Sequence, residues 1–282
     1  MIIDVIKDTL LDGVKLLPFL FLAYLLIEII EDRSEERAVA LVRKAGRLGP
    51  VLGGTVGVIP QCGFSAAMSN LYSTGLITRG TLLAVFLSTS DEMLPILISE
   101  KAGAPFILKV LLFKLIAGVI VGIVADIFFS RLAKGGEKHI HDMCEREGCK
   151  CEDGIMKSAL FHTLKIFLFL LAVTFVLNLA VELVGEEKLG NFIMNKPVVG
   201  ELLAGVIGLI PNCAASVVLT ELYLQGGLSI GAMMSGLLVG SGVGMLVLFR
   251  MNRNLKDNLL TLAILYVSGV VFGLIAGALN IF

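Results

Sequence analysis

The stretch Gly49–Gly80, GPVLGGTVGVIPQCGFSAAMSNLYSTGLITRG, returns 151 residues later as Gly200–Gly231, GELLAGVIGLIPNCAASVVLTELYLQGGLSIG, without a gap. Extended to Ser90 and Ser241, the two windows are identical at 14 of 42 positions. Apolar bias alone would match scattered leucines. It does not produce a shared I-P-[QN]-C-x-x-S core, here Ile59-Pro60-Gln61-Cys62 and Ser65 against Ile210-Pro211-Asn212-Cys213 and Ser216. The chain is an internal repeat.

The surroundings of the two blocks set the solvent. The sequence has 282 residues, 56% hydrophobic and 17% charged, with mean hydropathy +0.91. Soluble domains run near 45–50% apolar and about 25% charged. Lys15–Ile30, Thr81–Ser99, Phe106–Phe129, Ser158–Val181, Ala232–Phe249 and Leu259–Phe282 are long and nearly uncharged. Each approaches the roughly 20 apolar residues that a bilayer crossing needs. The partner is therefore the lipid bilayer, and a net charge of −1 gives no footprint for nucleic acid. The start, MIIDVIKDTLLDGVKLL, is acidic and amphipathic, unlike a cleavable signal. Five cysteines, two of them deep in apolar sequence, do not form a secreted disulfide pattern.

Basic residues orient the halves, because cytoplasmic loops collect Lys and Arg. Loop 32–48 carries Arg33, Arg37, Arg43, Lys44 and Arg47, while its counterpart 183–199 has Lys188 and Lys196. Loop 99–105 has Lys101 alone, while 250–256 has Arg250, Arg253 and Lys256. The bias flips between halves, as an inverted repeat requires. The expected organisation is a first inverted repeat over 1–130, a cytoplasmic linker over 131–157 and a second inverted repeat over 158–282. Both termini are expected outside.

Opposite orientation needs an odd number of crossings per half. The run from Gly49 to Pro60 is about 18 Å long as a helix, too short for a core of about 30 Å. The expected fold class is thus an all-α integral membrane protein. Each half has about three full spans plus a Pro-Cys re-entrant helical hairpin and an interrupted helix. Irregular backbone at membrane depth survives only when buried in protein or lining a cavity.

The interruptions follow the hairpins. Ser88-Thr89-Ser90-Asp91-Glu92 lies mid-span in the first half, and Gly240-Ser241-Gly242 stands at the same depth in the second. Paired broken helices in inverted repeats point to a midplane binding site. The candidate substrate-binding residues are Gln61, Cys62, Ser88, Thr89, Ser90, Asn212, Cys213 and Ser241. Asp91 and Glu92 are the ion-coupling candidates, since an intramembrane carboxylate is costly unless it relays protons or binds cations. The bland alternative is a carboxylate snorkelling to an interface or kept neutral by the neighbouring serines. Glu201 and Glu221 flank the second hairpin and rank lower. Thiolates at Cys62 and Cys213 would suit soft metals or metalloids, while a small cysteine that merely packs is equally compatible. In the linker, His139, His141, Cys144, Cys149 and Cys151 place five possible metal ligands within 13 residues. Their spacing fits no standard zinc module, and a solvated linker explains them too.

Taken together, Ile59-Pro60-Gln61-Cys62-Gly63-Phe64-Ser65, then Ser88–Glu92, then Gly208-Leu209-Ile210-Pro211-Asn212-Cys213, resemble the bacterial and archaeal ten-helix heavy-metal exporter permeases. These are also called arsenic efflux proteins or manganese transporters. The resemblance spans most of the chain. It implies a multi-pass permease of the prokaryotic plasma (inner) membrane that exports a metal or metalloid species. The layout of hairpin plus interrupted helix, twice and inverted, is also similar to that of ion-coupled symporters.

The leading functional reading is a secondary transporter, not an enzyme, driven by an ion gradient. No cofactor is expected beyond a transported or coupling cation: proton, sodium or divalent metal. The cargo is a small inorganic or organic solute, so transport of a small organic anion stays open, as do export against import and a homodimeric assembly. A membrane lipid-pyrophosphate phosphatase would need cations to stabilise phosphoryl charge, and no Arg or Lys neighbours either tip in sequence. A passive channel lacks a recognisable filter or charge ring. No P-loop supports ATP coupling. The orientation is checked by labelling. Single cysteines at Ser34 and Asn254 are expected to resist an impermeant maleimide added to intact cells, and one at Lys188 to react; labelling of all three overturns the inverted order, and the reverse pattern overturns the assigned orientation.

Overall fold

The computed structural model describes residues 48–59, 62–90, 93–129, 155–184 and 198–279, together with Thr9, Leu10, Val14, Leu17, Pro18, Leu20, Phe21, Leu22 and Leu25. Among these residues all regular structure is helical. The first half contributes α1 (Gly49–Gly57), α2 (Cys62–Ser73), α3 (Arg79–Ser88), α4 (Met93–Ser99) and α5 (Ala104–Phe129). A long helix, α6 (Ile155–Val184), leads into the second half. There follow α7 (Val199–Gly208), α8 (Cys213–Leu224), α9 (Ile230–Val239), α10 (Gly244–Met251) and α11 (Leu255–Leu279).

The repeat read from the sequence holds element by element. Helices α2 and α8, α3 and α9, and the starts of α4 and α10 and of α5 and α11, are each separated by 151 residues. Local chemistry explains why the boundaries coincide. Thr78 caps α3 by accepting from the Thr81 N–H at 3.1 Å, and Ser229 caps α9 by accepting from Ala232 at 3.1 Å. Hydroxyl residues at this position satisfy a helix-terminal amide that otherwise has no partner. At the far ends of α2 and α8, Gly75 (φ 81) and Gly226 (φ 76) adopt the left-handed conformation. The following amides return to Leu71 and Leu222, at 2.9 and 2.8 Å. This glycine-terminated closure stops both helices in the same way.

Five segments among the described residues are long and apolar enough to cross a membrane: Arg79–Ser99, Ala104–Phe129, Ala159–Val176, Ile230–Met251 and Leu255–Leu279. These match the expected spans to within a few residues at most ends. Lys15–Ile30 falls largely outside the described residues. The spans divide by burial. Every residue from Thr81 to Ser90 and from Gly231 to Val239 is buried. By contrast, α5 presents Leu108, Leu112, Ile116, Ile120 and Ile127 outward, and α11 presents Leu255, Leu259, Val267 and Val271. The continuous helices face the apolar solvent and enclose the broken ones.

Enclosure at this closeness needs small residues. Helix α3 lies between α1 and α5, and α9 between α7 and α11. A Cβ on Gly122 would stand 2.6 Å from the Gly80 carbonyl oxygen, and one on Gly273 would stand 2.8 Å from the Gly231 carbonyl oxygen. Gly118 and Gly122 in α5, like Gly269 and Gly273 in α11, form the small-xxx-small pattern that lets membrane helices approach backbone to backbone.

Contacts between the halves are reciprocal. Helix α2 packs on α10, and α8 packs on α4. Tyr72 donates to Asp257 at 2.8 Å, while its equivalent Tyr223 stacks at 5.7 Å on Phe106, the equivalent of Asp257. Arg79 pairs with Asp257 and lies 4.4 Å over the Phe129 ring. Phe106 and Phe129 are at opposite ends of α5, which at 26 residues is about 39 Å long. Tyr72 and Tyr223 are therefore at opposite ends of the bundle.

Gly122→Val and Gly273→Val are expected to lower the thermal midpoint by several degrees or abolish a monodisperse product, since overpacking a tight interface costs about 1–3 kcal/mol or more. Ile120→Val on the outer face of α5 is expected to leave the midpoint within about a degree, because exposed sites are usually within ±0.5 kcal/mol. Size-exclusion profiles after graded heating distinguish the outcomes.

Candidate functional site

The broken helices end where their sequences change character. Helix α3 closes at Ser88, and Thr89 swings to φ −56, ψ 129 while its N–H still bonds Val85 at 2.9 Å. Helix α9 closes at Val239, and Gly240 adopts φ −64, ψ 102 while bonding Gly236 at 2.9 Å. The last carbonyls of each helix are left without intrahelical partners. Both breaks are equivalent positions of the repeat, as the polar run and the glycine run predicted.

The two Pro-containing blocks are each divided into two helices. Helix α7 ends at Gly208 and α8 begins at Cys213, with Asn212 in extended backbone (φ −146, ψ 146). Asn212 caps α8 by accepting from the Ala214 N–H at 3.4 Å. In the first half α1 ends at Gly57 and α2 starts at Cys62. Neither block is one continuous crossing helix.

A small cavity of about 10 Å³ lies between the halves, lined by Thr89, Ser90, Lys114, Asn212, Ser216 and Gly240, with further small and apolar neighbours. That is about the space of one water molecule. Of the predicted binding residues, Thr89, Ser90 and Asn212 meet here. Ser88 is buried and donates to the Val85 carbonyl at 3.1 Å. Ser241 is buried in the break itself, where its carbonyl accepts from Gly244 at 3.2 Å. Cys213 faces a different neighbourhood, packed with Leu20, Leu76, Ile166, Leu170 and Val247. The side chain of Cys62 lies outside the described residues. So do Gln61, Asp91 and Glu92, and the linker group His139, His141, Cys144, Cys149 and Cys151.

The residue that sequence reasoning missed is Lys114. It belongs to α5, is 1% exposed, and its ammonium donates to the Thr89 carbonyl and, at 2.8 Å, to the Leu237 carbonyl. The expectation that no basic residue stands near the tips therefore fails at this position. It was drawn from neighbours in sequence, and Lys114 arrives from a separate span. The apolar segment of mean hydropathy 2.6 carries two lysines, Lys109 and Lys114, and the order of residues alone does not say which of them turns inward. Glu201 was ranked low, yet it is 6% exposed on the first turn of α7. Its Oε1 is 2.8 Å from where a Gly231 Cβ would stand, and Ser235 donates to its carbonyl at 2.7 Å. In the first half Asp126 sits at the matching helix start, accepting from Gly80 N–H and Thr78 Oγ1 at 2.8 Å each. Each broken helix thus begins beside a carboxylate, where its positive end favours negative charge.

The cavity offers hydroxyls, an amide, a fixed ammonium and two sets of helix-terminal carbonyls. Such a lining can strip and replace the water around a small solute. Asn212→Ala is expected to cost about 0.5–2 kcal/mol through loss of the α8 cap, while Asn212→Ser, which can still cap, is expected to recover most of it. Thermal midpoints of the three proteins provide the check.

Comparison with known proteins follows this geometry. No curated protein and no solved structure matches the chain. Residues 1–177, more than half of the length, match the family described as "Putative, 10TM heavy-metal exporter". With membrane-crossing helices and a repeat-built core, the chain belongs to this ten-helix heavy-metal exporter family of transmembrane transport proteins.

Proposed function

We propose that the protein is a secondary transporter of the prokaryotic plasma membrane that exports a metal or metalloid ion at the expense of an ion gradient. The observation that carries this reading is the cavity where the break of one half, at Thr89 and Ser90, meets the hairpin tip of the other, at Asn212. Alternating access needs a small site shared by two halves that can rock against each other. The reciprocal contacts of α2 with α10 and α8 with α4 supply the two-part construction.

Two further readings belong to the same proposal. The halves are inverted: Arg79 touches both Phe129, at the end of α5, and Asp257, in the first turn of α11, which supports antiparallel α5 and α11. The Pro-containing blocks are re-entrant: α1 and α2 have 9 and 12 residues, and about 18 Å of helix does not cross a core of about 30 Å. Asp91 and Glu92, which follow Ser90 directly in sequence, are the coupling groups in this scheme. The His and Cys residues of 131–157 gather metal on the cytoplasmic side before it enters.

Flux in proteoliposomes tests the function. Arsenite, manganese, zinc and a small organic anion are each offered with and without proton and sodium gradients. The expected outcome is gradient-driven movement of at least one metal or metalloid species. Movement of the organic anion alone overturns the substrate class, and movement of none overturns transport. Asp91→Asn or Glu92→Gln is expected to abolish concentrative transport while retaining one-for-one exchange of solute across the membrane, because exchange moves no net protons. Full concentrative transport in both variants removes the carboxylates from the coupling step.

A further inference from the structure

The carbonyl ends of two broken helices at mid-membrane are the usual makings of a cation site, since free carbonyls and the negative helix ends both attract positive charge. Here the position is filled from within. Lys114 reaches across from α5 and donates to Thr89, the residue that ends α3, and to Leu237, in the last turn of α9. One acceptor comes from each half of the repeat. The ammonium is 1% exposed and borders the central cavity.

The repeat makes the placement more telling. The position equivalent to Lys114 is Leu265, also fully buried, packed in one cluster with Phe86 and Leu238. Packing at this depth is therefore compatible with a leucine, and the lysine is not a requirement of the fold class. A buried charge at mid-span is costly and persists where it pairs or works. Two of its hydrogen bonds go to main-chain carbonyls at the two breaks.

We propose that Lys114 is a tethered cation, occupying the position where the ends of α3 and α9 would otherwise hold an exchangeable monovalent metal ion. With that position filled, the ends of α3 and α9 take up no sodium in the wild-type protein, and under the same proposal neither does the rest of the chain. Resting on the transporter reading above, this assigns the driving gradient to protons. An ammonium and a sodium ion make the same demand, carbonyl oxygens converging on one positive charge. A lysine cannot leave with the substrate, so its charge stays with the protein instead of being supplied from one side.

The test is equilibrium binding of radioactive sodium to the purified full chain, measured by scintillation proximity at constant ionic strength with choline as the replacement cation. Wild type is expected to bind none above background. Lys114→Ala removes the ammonium and keeps the carbonyls; it is expected to show saturable binding several-fold above wild type, displaced by lithium or ammonium but not by choline. Lys114→Arg keeps the charge and is expected to stay at background. If the alanine variant does not yield a monodisperse protein, Lys114→Ser supplies the same vacancy with a hydroxyl ligand. Saturable sodium binding by wild type overturns the proposal whatever the variants do. So does absence of binding by a folded alanine or serine variant. Sodium binding does not depend on which solute is carried, so this result stands apart from the flux panel.

Discussion

A helix that stops halfway through a membrane exposes peptide groups that no lipid can satisfy, and the rest of this structure follows from meeting that demand. Each unsatisfied group would cost several kcal/mol in hydrocarbon. The breaks after Ser88 and Val239 are therefore sealed on all sides: by α1 and α5 around α3, by α7 and α11 around α9, and by the opposite half across the cavity. The glycines at 118, 122, 269 and 273 permit the contact distance that sealing requires. The apolar faces of α5 and α11 then become the surface shown to lipid. Outer surface and interior are both largely apolar, and the buried polar residues, such as Ser88, Thr89, Ser90 and Asn212, include those at the breaks.

The two halves agree where the scaffold is at stake and differ where chemistry is. Hydroxyl caps at 78 and 229, left-handed glycines at 75 and 226, and close-approach glycines at 122 and 273 are matched in kind. The mismatches are charged on one side only: Lys114 against Leu265, Asp257 against Phe106, Asp126 against Gly277 and Glu201 against Pro50. Duplication provides two equivalent sets of helix ends. Substitution then makes them unequal, so that one cavity carries one ammonium and one end of the bundle carries the Arg79–Asp257 pair.

The same division explains how far the sequence could be read. Periodic and repeated features are local or collinear, so the 151-residue offset, the two Pro-containing breaks and the two helix interruptions are visible in the order of residues. Thr89, Ser90 and Asn212 could be nominated because each stands at a break, and the cavity joins all three. Lys114 could not be placed, since its position depends on which face of a 26-residue apolar helix turns inward and on how closely that face approaches α3 and α9. Cys213 carries the opposite lesson. Its place beside a predicted tip suits a ligand and a packing cysteine equally, and it belongs to a buried apolar cluster with Leu20 and Val247. The glycine pairs of α5 and α11 were legible in principle. They lie beyond the window over which the two halves are most alike.

Electrostatics sets the terms on which such a cavity can act. A helix end carries roughly half a charge, and in a low-dielectric interior that field is barely screened. Left alone, the ends of α3 and α9 would attract any small cation and hold it against release. Lys114 meets that field with a charge of the protein's own, and the contribution from these two ends is then fixed through the cycle. The remaining polar lining, at Thr89, Ser90, Asn212 and Ser216, is neutral, and in the proposed scheme its hydrogen bonds exchange for those of water at modest net cost. A transporter must bind its cargo well enough to exclude water and weakly enough to let it go. In the proposed scheme, neutralising the strongest fixed field with an internal cation, and lining the remainder with hydroxyls and an amide, is what keeps the site within that narrow range.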